Sequence, residues 1–233
     1  KGGLILHMLR NNIGDEAFFA GCNKYLKDNE YTAVEADELR IAMEDITGMD
    51  FNWFWDQWFF AAGHPELEVT HTYDAADKTL ILDVIQKHEP TNEIPAIFVL
   101  PMTIYLYDSN GTLSTFNVTV NNRNQSLVLE NVTSAPSAVV MDGTASILMT
   151  IDHAKTEAEL MAQAKYATKF LHVYSAVNNL KEDASFAILQ DEMLAYPHYS
   201  IRAKAIKEMD VTKVGASDIL MKLATNDEHS KVR

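Results

Sequence analysis

The chain has a single cysteine, Cys22, so no internal disulfide can brace it. Glycine and proline are sparse, 9 and 6 in 233 residues, which excludes collagen-like and low-complexity architectures. Basic side chains are outnumbered: 19 Lys and Arg against 33 Asp and Glu leave a net charge of −14. Nucleic-acid binding needs clustered cations against phosphate, and no basic patch with interleaved aromatics occurs, which argues against that class of partner. No apolar run reaches the ~20 residues of a membrane-spanning helix. The zinc motif H-E-x-x-H is missing as well. The eight histidines are His7, His64, His71, His88, His153, His172, His198 and His229, and no two lie three or four apart.

What is present is a chain of 47% hydrophobic residues, long enough for two or three domains with a sizeable core. Lys1-Gly2-Gly3 opens directly into an apolar-periodic helix, with no initiator methionine, cap or signal segment. That is expected of a piece of a longer protein. One cysteine does not fix the compartment. Cys22 sits in a helical pattern among Phe18, Phe19 and Tyr25 and is expected to be a small buried hydrophobe, since no histidine partner is offered nearby. The sequons at Asn117, Asn124 and Asn131 fall in an Asn- and Thr-rich region and read as coincidence.

The apolar period changes twice along the chain. Residues 1 to about 64 read as helical. Leu4, Ile5, Met8 and Leu9 share one face, and Gly14 is a C-terminal stop. A second helix, Asp15 to Lys27, is expected to bury Phe18, Phe19, Cys22 and Leu26. A third begins after Thr32, with Glu35 placed for a capping box, turns Leu39, Met43 and Ile46 inward and ends at Gly48. Asp50 can cap a fourth, Phe51 to about Ala62, closed by Gly63-His64-Pro65.

From Leu67 the period is two. Leu67, Val69, His71 and Tyr73 alternate with polar residues, Asp74 to Lys78 is a turn, and Leu80, Leu82 and Val84 alternate again. Ile97 to Tyr107 is a long β-rich run closed by Asp108-Ser109-Asn110-Gly111, a hairpin signal. Further strands are expected at Leu113 to Val120, Ser126 to Glu130, Ala138 to Met141 and Ser146 to Ile151. Frequent turns over about 85 residues indicate a small β-sandwich.

From His153 the pattern is helical to the end, with a loose internal repeat. Ser200-Ile201-Arg202 returns as Lys231-Val232-Arg233, and Ala176-Val177-Asn178-Asn179-Leu180 resembles Ala205-Ile206-Lys207-Glu208-Met209. A spacing near thirty with paired helices suggests a HEAT-like solenoid; an irregular helical bundle is the other reading.

The first segment carries a family resemblance. Lys1-Gly2-Gly3-Leu4-Ile5-Leu6-His7-Met8-Leu9-Arg10 resembles the helix after the catalytic tyrosine of zinc aminopeptidases of the aminopeptidase N type. Gly14-Asp15-Glu16-Ala17-Phe18 continues the likeness. So does Ala42-Met43-Glu44-Asp45-Ile46-Thr47-Gly48-Met49-Asp50-Phe51, running on to Trp53-Phe54-Trp55-Asp56-Gln57-Trp58. Gly63-His64-Pro65-Glu66-Leu67 is similar to the family's exit from its catalytic domain. The resemblance implies a multidomain α+β chain. Residues 1–64 would be the all-α end of a thermolysin-like catalytic domain, 65–151 a β-sandwich, and 152–233 the start of a HEAT-like helical superhelix.

It also implies a parent that removes N-terminal residues from peptides. In the family, zinc polarises the scissile carbonyl and activates a water, the Glu of H-E-x-x-H is the base, and a tyrosine hydroxyl stabilises the oxyanion. None of those parts falls in these 233 residues, and the tyrosine would sit two residues before Lys1. The expectation for this stretch is therefore no catalytic, cofactor-binding or metal residue, zinc only in the parent, and no hydrolysis by the chain alone. The alternative is a non-catalytic interaction scaffold of the same architecture.

The remaining conspicuous residues have plain readings. His7 is expected to be a core or boundary histidine, and His64 a structural loop residue. Asp83, Glu89 and Glu93 show no metal spacing. Trp53, Trp55 and Trp58, at helical spacing, fill a core or a domain interface. Glu44 and Asp45 read as solvated face, and Pro197-His198-Tyr199 as an interhelix turn.

Overall fold

Helix α1 (Gly2–Ile13) stops at Gly14, which takes φ 82° and donates its N–H to the Arg10 carbonyl at 2.8 Å. A side chain with a Cβ resists that backbone conformation. The computed structural model describes residues 1–181 and 183–233. They group into two compact units. The first holds residues 1–104, 116–133 and 141–154; the second holds 105–115, 134–140 and 155–233.

In the first unit, α2 (Asp15–Asp28) packs on α3 (Ala36–Thr47). The capping box at α3 pairs Glu35 with Glu38, and Gly48 closes the helix in the left-handed region. The helices approach closely where Gly21 lies against Met43: a Cβ at Gly21 would fall 2.3 Å from the Met43 sulfur. This one-sided packing narrows the buried stripe of α2. Phe18 is buried, but Phe19 is 56% and Leu26 67% exposed, contrary to the expectation from periodicity, and Cys22 is only half-buried. Phe19 and Leu26 share a flank of the helix about 150° round from Gly21, on the side away from α3. Ile46, expected inside, is also exposed, because it lies in the last turn of α3, past the crossing at Met43. His7 is exposed on α1 and not part of the core.

The fourth helix departs further. Only α4 (Asn52–Trp55) is α-helical; Asp56–Phe60 is a π-helical turn, and the chain leaves the helix at Ala61. Asp50 does cap this start: its Oδ1 accepts from the Asn52 N–H at 2.8 Å. Glu44, expected to be solvated, joins it. One carboxylate oxygen accepts from the Phe51 N–H at 2.9 Å and the other from Arg40 at 2.8 Å, tying the end of α3 to the start of α4.

Strands β1 (Glu66–Asp74) and β2 (Thr79–Gln86) form the expected hairpin, paired from Leu67 with Gln86 to Asp74 with Thr79. With β5 (Asn124–Leu129) and β7 (Thr150–His153) they make a four-stranded sheet, order β5-β2-β1-β7, in which β7 runs parallel to β1. Leu67, Val69, Leu80, Leu82 and Val84 bury one face, as period two requires. Strands β3 (Leu100–Tyr107), β4 (Leu113–Val120) and β6 (Ala138–Val140) form the other sheet, order β4-β3-β6, and together the sheets give the small β-sandwich. The expected strand over Ser146 to Ile151 begins only at Thr150. Ser146 and Ile147 belong instead to a loop whose turn is bonded to the Asp142 carboxylate.

The second unit contains α5 (Glu157–Tyr166), α6 (Phe170–Asn179), α7 (Asp183–Leu194), α8 (Tyr199–Lys207) and α9 (Ala216–Asn226). Thr156 and Glu159 build a capping box at α5. A core of Val173, Val177, Phe186, Leu189, Met193 and Ile201 joins the helices, with Ala138 and Val140 of β6 against it. At the β3–β4 turn Gly111 takes φ 82°, and a Cβ there would strike the Tyr166 ring at 2.5 Å.

Candidate functional site

Phe51, Phe54, Trp55 and Trp58 are among the bulkiest side chains buried in the first unit, and they come from one short stretch. Trp55 stacks on Phe59 at 4.5 Å and donates its indole N–H to the Ala36 carbonyl at 2.9 Å. Trp58 lies 5.3 Å from the Phe98 ring. Of Trp53, Trp55 and Trp58, expected to fill a core or a domain interface, Trp55 and Trp58 are buried in the core and Trp53 is half-buried.

Beside them, two buried glutamines hold a segment that has no strand partner. The Gln57 amide accepts from the Val99 N–H at 2.7 Å and donates to the Val99 carbonyl at 2.9 Å. Gln86 does the same to Phe98, at 2.9 Å in both directions. In extended backbone the polar groups of successive residues point to opposite sides, so one amide from each side satisfies both residues. Gln57→Leu is expected to orphan both Val99 groups and cost about 2 kcal/mol. Chemical denaturation checks this, and a cost no larger than that of an exposed polar substitution counts against the clamp. No periodicity signal marks either glutamine, because a buried amide in an apolar run reads only as an interruption.

These residues border a cleft of about 480 Å³ whose polar lining includes Asn11, Asn12, Thr103, Asn117, Thr119 and Ser146. Asn11 donates to Thr144 at 2.8 Å and to Ser146 at 2.7 Å, tying α1 to the loop before β7. No ionisable side chain lines the cleft among the described residues. It can offer hydrogen bonds and an aromatic edge, but neither a base nor an acid, so its own groups support no proton transfer.

The residues singled out in sequence do not converge. Half-buried His64 lies between α4 and β1, Asp83 bonds the Ser126 hydroxyl, Glu89 is exposed, and Asp45 faces Lys24 at 3.3 Å on the surface. His198 begins α8, where its Nδ1 accepts from the Ser200 N–H, so the expected interhelix turn also serves as a cap. Sequence reasoning missed the contact of His71 with His153, 2.9 Å apart across β1 and β7. It also missed Lys155, whose ammonium burial pushes down to about 8, with Glu159 opposing. Among the described residues no group of three or more His, Cys, Asp or Glu is placed to hold a metal.

Comparison with known proteins reads the same segments. Residues 1–58 match the peptidase family M1 domain. Residues 63–151 match a domain of unknown function with an Ig-like fold, DUF3458. Over these stretches the chain is similar to a fragment of an M1 aminopeptidase. Aminopeptidase N of Haemophilus influenzae is 32% identical over 114 residues, 48% of this chain and 13% of that protein. Glutamyl aminopeptidase of Bitis rhinoceros is 35% identical over 83 residues, 36% of this chain and 9% of its own length. The chain therefore spans a small part of the M1 relatives it matches. A crystal structure of Legionella pneumophila aminopeptidase A in complex with aspartic acid shares the fold. Its TM-score is 0.75 at 17% identity, covering 98% of this chain and 31% of that one.

Proposed function

We propose that this chain is the carboxyl-side part of a zinc aminopeptidase that removes N-terminal residues from peptides. The observation that carries the reading is the order of its segments: a peptidase M1 match over 1–58 runs directly into an Ig-like match over 63–151. We assign residues 1–64 to the end of the catalytic domain, 65–151 to the sandwich and 152–233 to the start of a HEAT-like helical domain. The donors in this chain do not fit the family's zinc, since H-E-x-x-H is absent and no three ligand side chains gather among the described residues. No step of hydrolysis is therefore assigned to them.

The test has two arms. The purified 233-residue chain is expected to hold no stoichiometric zinc and to leave an alanyl-amide substrate uncut; stoichiometric zinc with turnover overturns the assignment. Reading the coding DNA upstream of Lys1 is expected to show H-E-x-x-H, a later Glu and a Tyr two residues before Lys1. The same framework with those residues replaced would make the protein a non-catalytic scaffold.

A further inference from the structure

The cleft of the first unit carries more hydrogen-bonding capacity than the fold uses. Asn11 spends both amide hydrogens, on Thr144 at 2.8 Å and Ser146 at 2.7 Å, which fixes the side chain and leaves its carbonyl oxygen to accept. Asn117 does the reverse: its oxygen takes the Thr103 hydroxyl at 3.0 Å, and its amide hydrogens are left to donate. Asn12 and Thr119 also line the cleft, are exposed, and have no side-chain partner among the described residues. The loop that Asn11 holds is itself fixed. The Ile147 N–H bonds the Asp142 carboxylate at 2.8 Å, and Asp142 and Ala145 hold left-handed φ values of 48° and 55° without being glycine. Trp53, half-buried and in edge contact with Phe54 at 5.6 Å, supplies an aromatic border.

This lining selects a ligand by its chemistry. An ion would leave water for walls that hold no counter-charge, which is costly. A purely apolar ligand would desolvate the amides and the hydroxyl and give them no partner. The occupant must therefore be neutral, with groups that both donate and accept, and with some apolar surface to lay against an indole. Sugar hydroxyls donate and accept, and the ring carbons of a sugar carry a C–H face. The volume of about 480 Å³ lies within the range of small-ligand sites and suits one or two sugar rings.

We propose that this cleft is a binding site for a neutral saccharide, held by Asn11, Asn12, Asn117 and Thr119 with Trp53 against its C–H face. The proposal rests on the geometry of the first unit and not on the peptidase assignment. Because Asn11 and Asn117 are already oriented by their own bonds, little ordering is left for the ligand to impose.

The test is a titration of the 233-residue chain, read by tryptophan fluorescence, with glucose, galactose, N-acetylglucosamine and maltose. At least one is expected to saturate with a Kd in the millimolar range. Glucuronate, similar in shape but charged, should bind at least about tenfold more weakly than glucose or galactose. Asn117→Val keeps a strand-forming residue and removes the amide; Asn12→Ala removes an exposed side chain from α1. Each should weaken the neutral sugar about tenfold while the thermal midpoint stays that of the parent. No saturation with any of the four sugars overturns the proposal. So does saturation that neither variant changes, which puts the sugar elsewhere, and so does equal binding of glucuronate. Saturation by a blocked dipeptide amide with none by the sugars would overturn it in favour of a peptide site.

Discussion

Trp58→Ala is expected to lower the stability of the chain by about 4 kcal/mol, a fall of roughly 10 °C in the unfolding midpoint. The indole is 1% exposed and packs between Phe54 at 6.5 Å and Phe98 at 5.3 Å. Truncation costs the transfer energy of the ring plus that of the cavity, and the cavity cost depends on how far the neighbours can collapse. Here they are held. Phe98 has both backbone groups on Gln86, and Val99 has both on Gln57. Phe60→Ala, two residues on but 60% exposed, should change stability by no more than about 0.5 kcal/mol. Thermal and chemical denaturation of the two variants decide the point. Equal costs would show that Trp58 does not anchor this unit.

Arg202→Ala is expected to cost about 3 kcal/mol and to unfold the carboxyl-terminal helices first. The side chain is 8% exposed, its partner Asp227 5%, and the bond between them is bidentate. Removing one member of a buried pair strands the other, which costs more than the pair contributes when whole. Arg202→Ala also frees the Tyr196 and Pro197 carbonyls. Arg202→Lys keeps the charge but loses the fork, and should fall between the two.

The pair also sets an acid limit. The hydrogen bond from Arg202, with lesser help from the His229 N–H, holds the Asp227 carboxyl below the ordinary carboxylate range. A carboxylate with a lowered folded-state value stabilises the fold above its unfolded value, near ~3.9, and that contribution disappears as pH falls through the lower folded value. The helical signal of the native chain should therefore fall away below about pH 4, whereas Arg202→Ala should start less stable and show a flatter acid limb. Parallel acid limbs in the two proteins would exclude the linkage.

Much of this was legible in the chain itself. Hairpin β1–β2 follows from strict alternation around a turn, and the ends of α1 and α3 follow from Gly14 and Gly48, where chemistry within a few residues decides the backbone. What failed has a common origin. Phe19, Leu26 and Ile46 belong to the right period, but period names a candidate stripe and not how much of it a neighbour covers. The π turn after Trp55, the Gln57 and Gln86 clamps, and the Glu44 link to Phe51 join residues whose partners are set by packing.

By itself, the sequence determined the order of helices, strands and helices, the family those segments resemble, and the absence of a zinc motif from these residues. Each of those is carried by local pattern or by motif. Only the tertiary structure decided which apolar faces are covered, which amides satisfy Phe98 and Val99, and that Arg202 bonds both its own turn and the Asp227 carboxylate. Those depend on distances between residues far apart in the chain, and a linear pattern does not encode distance.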